Sequence, residues 1–430
     1  MKEELLQFIW QHQLFDKNNF YTTTGEKIKV LSAGQLNHDA GPDFVNAKVA
    51  LNNILWVGNV EIHRESSQWL KHHHHKDKAY DNVILHVVLN NDVKIKRTNG
   101  EIIPAFEMSL QKKFEDKYQD LILNQEWIPC GKHIQAIDSF FIYFWLTSLS
   151  VERILDKSIP IEEALKKTAG NWEEVFYIFI ARNFGLSTNN EAFEQLARSL
   201  PLKYLAKHKN NRIQLEALIF GQAGFLEEEI KDDKYYNDLK KEYNYLKHKL
   251  KLTPNEKYLW KFMRLRPMNF PTIRLAQFAQ LVYQSSGLFS KMVTTQNRQN
   301  LHKYFDISLP PYWNDHFKFG KTSTPRSKKF GKTARNNIII NTIVLFQFLY
   351  GKINNQPLLR ENALKLLEDL PPEENNIIEG WKKLGIVPAN ALHSQALIHL
   401  KKKYCEKRKC LQCDVGVKII TAKNEKKGTI

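Results

Sequence analysis

The hydrophobic pattern of residues 1–90 changes its period several times, and each change predicts an element of secondary structure. Residues 3–15 place apolar side chains three and four positions apart, as an amphipathic helix does. Apolar and polar residues then alternate in three segments that predict strands: 27–31, 44–51 and 54–63. The Asn52–Asn53 pair favours a hairpin turn between the last two strands.

Two further elements follow these strands. Residues 66–80 predict a second helix, which Ser66 or Ser67 would cap. The run NVILHVVL at 82–89 is almost entirely apolar and predicts a strand that is buried on both faces. The predicted order of elements in this part of the chain is therefore α-β-β-β-α-β.

The pattern after residue 138 is helical. Apolar residues recur at three- and four-residue spacing in four long segments: 140–155, 172–185, 191–200 and 212–226. The sequence therefore predicts an α/β fold followed by a mostly α-helical region. We expect an α/β domain at 1–125, a helical domain with basic loops at 126–395, and a basic segment with cysteines at 396–430.

A Pro-Asp pair and a Glu-x-His triplet bracket the predicted hairpin. Asp43 opens one strand, and Glu61 lies 18 residues later near the end of the next strand. In a tight hairpin these two carboxylates converge at one end of the sheet. Mg²⁺ and Mn²⁺ bind carboxylate oxygens, with water and phosphate oxygens in the remaining positions. The alternative is structural: Asp43 makes a turn after Pro42, and Glu61 is a solvated strand residue.

The pattern resembles the PD-(D/E)xK motif of nucleases. The resemblance implies a restriction-endonuclease-like αβββαβ core, nuclease activity, and Asp43 and Glu61 as metal ligands. His63 stands where that motif has Lys. It can orient the attacking water, add a nitrogen ligand that shifts preference towards Mn²⁺, or mark a domain that has lost the chemistry. Lys48 is the candidate for a migrated cation, and Glu4 for the first-helix Glu of similar nucleases.

Histidines are concentrated around this motif. The run His72–His75 lies on the predicted second helix, and His86 lies in the buried strand. Taken singly, these side chains suit a polar helix face and a hydrogen-bonded core position. Taken together with Asp77, they are candidates for lining a site, where His72, His74 and His86 would contact phosphate or donate a proton to a leaving group. They also permit a zinc-dependent hydrolase.

The composition is strongly basic. Sixty-three Lys and Arg residues oppose 46 acids, which gives a net charge of +17. This balance favours a polyanionic partner, and we expect nucleic acid, DNA in preference to RNA. Two Lys/Arg-rich loops are candidates for phosphate contacts, through Arg264, Arg266, Arg274, Lys321, Lys328 and Lys329. A general Lys bias and a mobile, solvated linker at 318–335 are the alternatives.

Four cysteines are too few for a disulfide framework, and three of them are clustered. Cys405, Cys410 and Cys413 form a Cys-x4-Cys-x2-Cys pattern, and Cys130 follows Pro129 far upstream. Four thiolates suit a structural Zn²⁺ or a [4Fe–4S] cluster. The arrangement is similar to that of some nucleases of recombination and CRISPR adaptation, although there the remote cysteine usually precedes the nuclease motif. Unpaired thiols on a flexible tail are the alternative.

Several classes of protein are disfavoured. The N-terminal residues show no secretory signal, and the longest apolar runs are shorter than a membrane span, so we expect a soluble cytoplasmic protein without membrane contact. Walker-type phosphate loops and Gly-x-Ser-x-Gly elbows are absent from the sequence. The oligomeric state is left open.

The segments GPDF, WVGNVEIH, AYDNVILHVV and RLRP, with the C-terminal cysteine pattern, resemble a bacterial family known only as domain of unknown function 2851. The family's usual SSDW is changed here, because Gln68 replaces the Asp. The resemblance implies no activity. The leading hypothesis is therefore a metal-dependent nuclease, and the main alternative is a catalytically inactive protein that binds nucleic acid or acts as a scaffold.

Overall fold

The computed structural model describes residues 3–16 and 20–422. The chain divides into two compact units. The first holds the described residues up to Trp145 and those from Leu400 onward, and the second holds Leu146–His399. The division falls at residues 145 and 400, whereas the predicted boundaries are at 125 and 395, and the described C-terminal residues belong to the same unit as the N-terminal ones.

The first unit begins with a mixed α/β arrangement. Its elements are α1 (Glu3–Gln11), β1 (Ile28–Ser32), β2 (Gln35–Leu36), β3 (Phe44–Leu51), β4 (Ile54–Glu65), α2 (Gln68–Lys71), β5 (Val83–Asn90), β6 (Ala105–Glu107) and α3 (Lys112–Leu123). Helix α1 buries the apolar stripe that its sequence predicts, Leu5, Leu6, Ile9 and Trp10 among it. It ends four residues earlier than predicted, and Gln13 soon afterwards adopts φ 49°.

The strands form one sheet in the order β1-β3-β4-β5-β6, with β2 also paired to β3. The pairs β1/β3 and β3/β4 are antiparallel, whereas β4/β5 and β5/β6 are parallel. The predicted strand 44–51 coincides with β3, and Val83–Val88 of β5 are buried as the apolar run predicts. A mixed sheet followed by a mostly helical region confirms the predicted α/β plus α class.

The predicted helix over residues 66–80 is wrong. Helix α2 has only four residues, and two short 3₁₀ turns follow it. The break lies at His73, which has φ 62° in the left-handed region and so cannot continue a right-handed helix. The chain therefore bends back over the end of β4 and carries the following histidine with it.

The second unit is helical, and its described part contains one small hairpin. Helix α4 (Ser139–Lys167) begins in the first unit and ends in the second. The elements that follow are α5 (Trp172–Phe184), α6 (Asn190–Ser199), α7 (Leu202–Lys207), α8 (Arg212–Gln222), α9 (Lys234–Leu250), α10 (Pro271–Gln284), α11 (Leu288–Thr294), α12 (Arg298–Tyr304), β7 (His316–Lys318), β8 (Lys321–Thr322), α13 (Lys332–Ile338), α14 (Val344–Ile353), α15 (Pro357–Asp369), α16 (Asn376–Lys383) and α17 (Ala391–His399). Helices α5, α8 and α10 are buried along most of their length and form its core.

The C-terminal segment belongs to the first unit. A π-helical turn (Leu400–Cys405) continues from α17, and α18 (Asp414–Thr421) packs against α3. The Nζ of Lys117 on α3 donates to the backbone oxygen of Ala422 at 2.6 Å. Within the described ranges, no helix is both long enough and apolar enough to cross a membrane.

Candidate metal centre

The predicted pair of carboxylates converges at the adjacent ends of β3 and β4. The backbone N–H of Asp43 donates to Oε2 of Glu61 at 3.0 Å, and the N–H of Ile62 donates to Oδ2 of Asp43, also at 3.0 Å. Gln7 of α1 donates to the other oxygen of Asp43 at 2.8 Å. Each strand end therefore fixes the carboxylate of the other.

The surroundings of this pair disfavour the charged form of both carboxyl groups. Burial raises the pKa of Asp43, and the neighbouring Glu61 charge raises it further. Burial also raises the pKa of Glu61, with a smaller contribution from the charge of Glu3. Within residues 3–16 and 20–422, no Lys or Arg forms an ion pair with either carboxylate. A bound cation would supply the missing positive charge.

Two histidines lie against the Glu61 carboxylate, and a third lies against one of them. The Nε2 atoms of His63 and His74 are 3.4 and 3.3 Å from Oε1 of Glu61. The Nε2 of His63 is 3.2 Å from Nδ1 of His72. One nitrogen from each of the three rings lies within 4.8 Å of the others, so the group can hold a metal ion. His72 is exposed, which leaves this side of the group open to solvent.

A second layer of rings holds the histidines in place. The Nε2 of His86, which is fully buried in β5, is 2.9 Å from Nδ1 of His63. The buried ring of Trp69 packs against His74 and His86, and Tyr80 stacks on His74 with ring centroids 3.8 Å apart. This arrangement fixes the ring of His63, as the outer partners of metal-binding histidines do.

The buried imidazoles of His63 and His86 are held in their neutral form. Burial and neighbouring histidine charges lower the pKa of His63 to about 2, and burial lowers that of His86 to about 3. Neutral imidazole is the form that binds a metal. Two carboxylates with up to three imidazole nitrogens suit Mn²⁺, Fe²⁺ or Zn²⁺ better than Mg²⁺, whose preferred ligands are oxygens.

Two sequence candidates lie elsewhere. Lys48 is exposed on β3 and lies opposite Val57 of β4. Val57 is four residues before Glu61, a separation of about 13 Å along the strand. Glu4 is also exposed. Its charge contributes, after burial, to the raised pKa of Tyr118, which is not a residue of the site. The first-helix acid beside the site is instead Glu3, which sequence reasoning missed by one position. Glu3 is one helical turn before Gln7, which donates to Asp43, so knowing which face of α1 lies towards the site would have identified Glu3.

Asp77 and Gln68 shape the surroundings. The Asp77 side chain accepts from the N–H of Ala79 at 2.9 Å, which caps a 3₁₀ turn, and its charge also acts on His74. Gln68 accepts from the N–H of Glu65 and donates to Glu3 at 2.8 Å. The position at which this chain departs from the family pattern is therefore in direct contact with Glu3.

The basic candidates of the second unit fall into two groups. Arg264, Arg266, Lys321 and Lys329 are exposed. Arg274 is buried, donates to Gln277 and Asn269, and packs over Phe330. Lys328 is also buried, and its Nζ donates to the backbone oxygen of Asn314 at 2.8 Å. The prediction that Arg274 and Lys328 contact phosphate is wrong, because their charged groups are already bonded inside the unit.

The segment 318–335 is not the solvated linker considered from its composition. It begins at the end of β7, contains β8, and buries Phe330 as well as Lys328. Lys318 lies 4.4 Å from the ring centroid of Phe262, in the loop that carries Arg264 and Arg266. The hairpin and the Arg loop are therefore in contact through Lys318 and Phe262.

All four cysteines are buried, and none forms a disulfide. Cys130 lies in a turn between α3 and α4, and the other three lie in the C-terminal segment of the same unit. The flexible-tail alternative is therefore wrong for these residues.

The comparison with protein families gives one result. Residues 3–376 match a family described as a protein of unknown function (DUF2851), and the match ends before Cys405. Neither a curated protein nor a solved structure matches the chain. Because the matched residues cover most of its length, the chain belongs to the DUF2851 family of proteins of unknown function.

Proposed function

We propose that this protein is a metal-dependent hydrolase that cleaves phosphodiester bonds in nucleic acid, DNA in preference to RNA. The observation that carries the proposal is that Glu61 contacts Asp43, His63 and His74, while the exposed His72 lies against His63. Asp43 and Glu61 would provide the oxygen ligands, and one or more of the histidines the nitrogen ligands.

The donor set argues for a particular metal. Imidazole nitrogen favours Mn²⁺, Zn²⁺ or Fe²⁺ over Mg²⁺, so we expect Mn²⁺ to support activity better than Mg²⁺. When bound, such an ion activates a water molecule and stabilises charge on a phosphoryl oxygen. His63 thus takes the role of a nitrogen ligand, the second of the three alternatives that the sequence leaves open for it.

The chain's own residues have separate tasks in this scheme. His86 holds Nδ1 of His63 and leaves its Nε2 directed at Glu61. Burial of Glu61 and His63 excludes bulk water from one side of the group. The exposed ring of His72 lies on the open side, where it can contact a phosphate or deliver a proton to the leaving oxygen.

Two further observations support nucleic acid as the substrate. The net charge is +17, and the exposed cations Arg264, Arg266 and Lys321 lie on packed loops of the second unit. The sheet order, with two antiparallel pairs followed by two parallel pairs, is compatible with the restriction-endonuclease-like fold that we propose. Exposed cations can provide the salt-sensitive backbone contacts that such binding needs.

The histidine group also favours a second candidate, a zinc-dependent hydrolase with a substrate other than nucleic acid. Three nitrogens within 4.8 Å of one another are a donor set that binds Zn²⁺ well. A catalytic Zn²⁺ of this kind would remain with the protein during purification, whereas Mn²⁺ or Mg²⁺ would exchange.

The test is a cleavage assay on single- and double-stranded DNA and RNA with Mn²⁺, Mg²⁺ or Zn²⁺. We expect Mn²⁺-dependent cleavage that Asp43→Ala and Glu61→Gln abolish. Glu65→Gln is the matched control, because it makes the same change four residues further along β4 and removes only an exposed ion pair with Lys71. Equal cleavage by all four proteins would identify a contaminating nuclease.

Binding is measured separately from cleavage. Arg264→Ala with Arg266→Ala should weaken DNA binding and lower its salt dependence, while the exposed pair Lys166→Ala and Lys167→Ala serves as the control. Salt-sensitive binding without cleavage under any metal would instead favour the inactive nuclease-fold protein. Tightly held Zn²⁺ without any DNA or RNA binding would favour the second candidate.

A further inference from the structure

The four cysteines come together from two distant parts of the chain. Cys130 lies in the turn after α3, and Cys405 ends the π-helical turn at Leu400–Cys405. Cys410 opens a short 3₁₀ turn, and Cys413 lies directly before α18. The exposed fractions of these residues are 7–9%. The thiols are close enough for the charges of Cys413, Cys130 and Cys410 to raise the pKa of Cys405.

Burial by itself would suit four small apolar side chains. Burial raises the pKa of all four thiols, but hydrogen-bond donors and cations face three of the sulfurs. The backbone N–H groups of Val415 and Gly416, in the first turn of α18, donate to the sulfur of Cys413. The cations of Lys401 and Arg408 lower the pKa of Cys405 and Cys410, against the larger effect of burial. Hydrogen-bond donors and cations directed at sulfur stabilise its anion.

The backbone around the Cys410–Cys413 pair is tightly closed. A Cβ atom at Gly416 would lie 2.1 Å from the backbone oxygen of Cys410, so that only glycine fits there. The N–H of Cys413 donates back to the same oxygen at 3.4 Å. A Cys-x2-Cys turn that is closed by backbone N–H groups is a common way to present two thiolates to one metal.

We infer that Cys130, Cys405, Cys410 and Cys413 form a second metal centre, with four thiolate ligands, that fastens the C-terminal segment to the N-terminal unit. Zn²⁺ and a [4Fe–4S] cluster share this ligand chemistry. The role of the centre is structural, since the sulfurs are buried; it would add to the packing of α18 against α3 and to polar contacts between the two segments. One of these is the donation from Arg408 to the backbone oxygen of Asn124 at 2.9 Å.

The experiment is elemental analysis of the full-length protein purified without oxygen, with acid-labile sulfide measured in parallel. It is done in a background with Glu61→Gln, His63→Gln and His74→Gln, so that metal held by the carboxylate–histidine group does not contribute. We expect one zinc per chain without sulfide, or about four iron with matching sulfide and visible absorption. Either result supports the centre and identifies its metal.

Cys130→Ser should lose most of this metal, and residues 400–422 should become more sensitive to protease and to hydrogen exchange. Ile128→Val is the matched control, because Ile128 is buried in the same turn but has no ligand atom. Where Cys130→Ser does not fold, thiol titration of the wild type replaces it. Four thiols should become reactive only after a chelator has removed the metal.

The inference is overturned if the anaerobic protein contains neither zinc nor iron in stoichiometric amount and takes up neither on reconstitution. Full retention of metal by Cys130→Ser would also overturn it. Both results are independent of nuclease activity, so the proposed function can fail while this centre remains.

Discussion

The N–H of Asp43 donates to the carboxylate of Glu61 at 3.0 Å, across the antiparallel pair β3/β4. This bond fixes Glu61, while the N–H of Ile62 fixes Asp43 in return. Two carboxylates are thereby held close together in a buried place, although their charges repel. Ionising both carboxyl groups costs free energy when no cation is bound, and their fixed positions are suited to binding one.

The first prediction concerns Glu61→Gln. The amide oxygen of Gln can still accept from the N–H of Asp43, and the substitution removes the charge that burial disfavours. The metal-free variant should therefore be as stable as the wild type or more stable, by up to about 2 kcal/mol at pH 8. The rise in melting temperature on adding Mn²⁺ should disappear. Thermal denaturation with and without Mn²⁺ measures both effects, and Glu65→Gln should keep the rise. An unchanged rise in Glu61→Gln would argue against Glu61 as a ligand.

A second prediction concerns the support of His63 by His86. His86→Leu removes the partner of Nδ1, frees the ring, and should weaken Mn²⁺ binding about 10- to 100-fold. The measurement is calorimetric titration with Mn²⁺. His73→Asn is the control, because His73 is exposed and Asn tolerates its left-handed backbone. Equal affinities in wild type and His86→Leu would show that His63 needs no such support.

The third prediction concerns Gly58, which belongs to the WVGNVEIH segment of β4. A Cβ atom there would lie 2.4 Å from Cγ2 of Ile84 and 2.7 Å from the backbone oxygen of Asn82. Gly58→Ala should therefore destabilise the protein by about 1–3 kcal/mol, as overpacking does. Urea denaturation measures the loss. Gly331→Ala, with no atom within 4 Å of the added Cβ, should have little effect.

The fourth prediction concerns the pH dependence of stability through Glu216. Burial raises the pKa of Glu216 from 4.5 to about 7, although the hydroxyl of Tyr235 donates to it at 2.9 Å. The folded state therefore holds this proton more tightly than the unfolded state. Its contribution to stability is complete below about pH 4.5 and is lost as the pH rises through about 7.

Glu216→Gln cannot ionise, so the loss of stability that accompanies ionisation of Glu216 above about pH 7 should be absent in this variant. The variant should be more stable than the wild type by about 2–3 kcal/mol at pH 8, with a smaller difference at pH 5. Denaturation curves over this range provide the test. Glu163→Gln, the same change at an exposed position, is the matched control. A constant difference between wild type and Glu216→Gln would contradict the raised pKa.

The strands could be predicted because their pattern is local. Residues 44–51 form β3 as predicted, since alternation and the Asn52–Asn53 turn act over only a few residues. The approach of Asp43 to Glu61 follows from that hairpin. The helix over residues 66–80 failed, because the positive φ of His73 is set by packing around the end of β4 and leaves no clear sequence signal.

The sequence by itself determined the mixed sheet, the helical region and the meeting of the two carboxylates, because short-range periodicity and turn residues decide these features. Only the tertiary structure decided that Glu3 and not Glu4 lies beside them, and that Arg274 and Lys328 are buried. It also decided that Cys130 meets the C-terminal cysteines. Each of these results depends on contacts between segments that are distant in sequence, and the free energy of packing, not local preference, selects them.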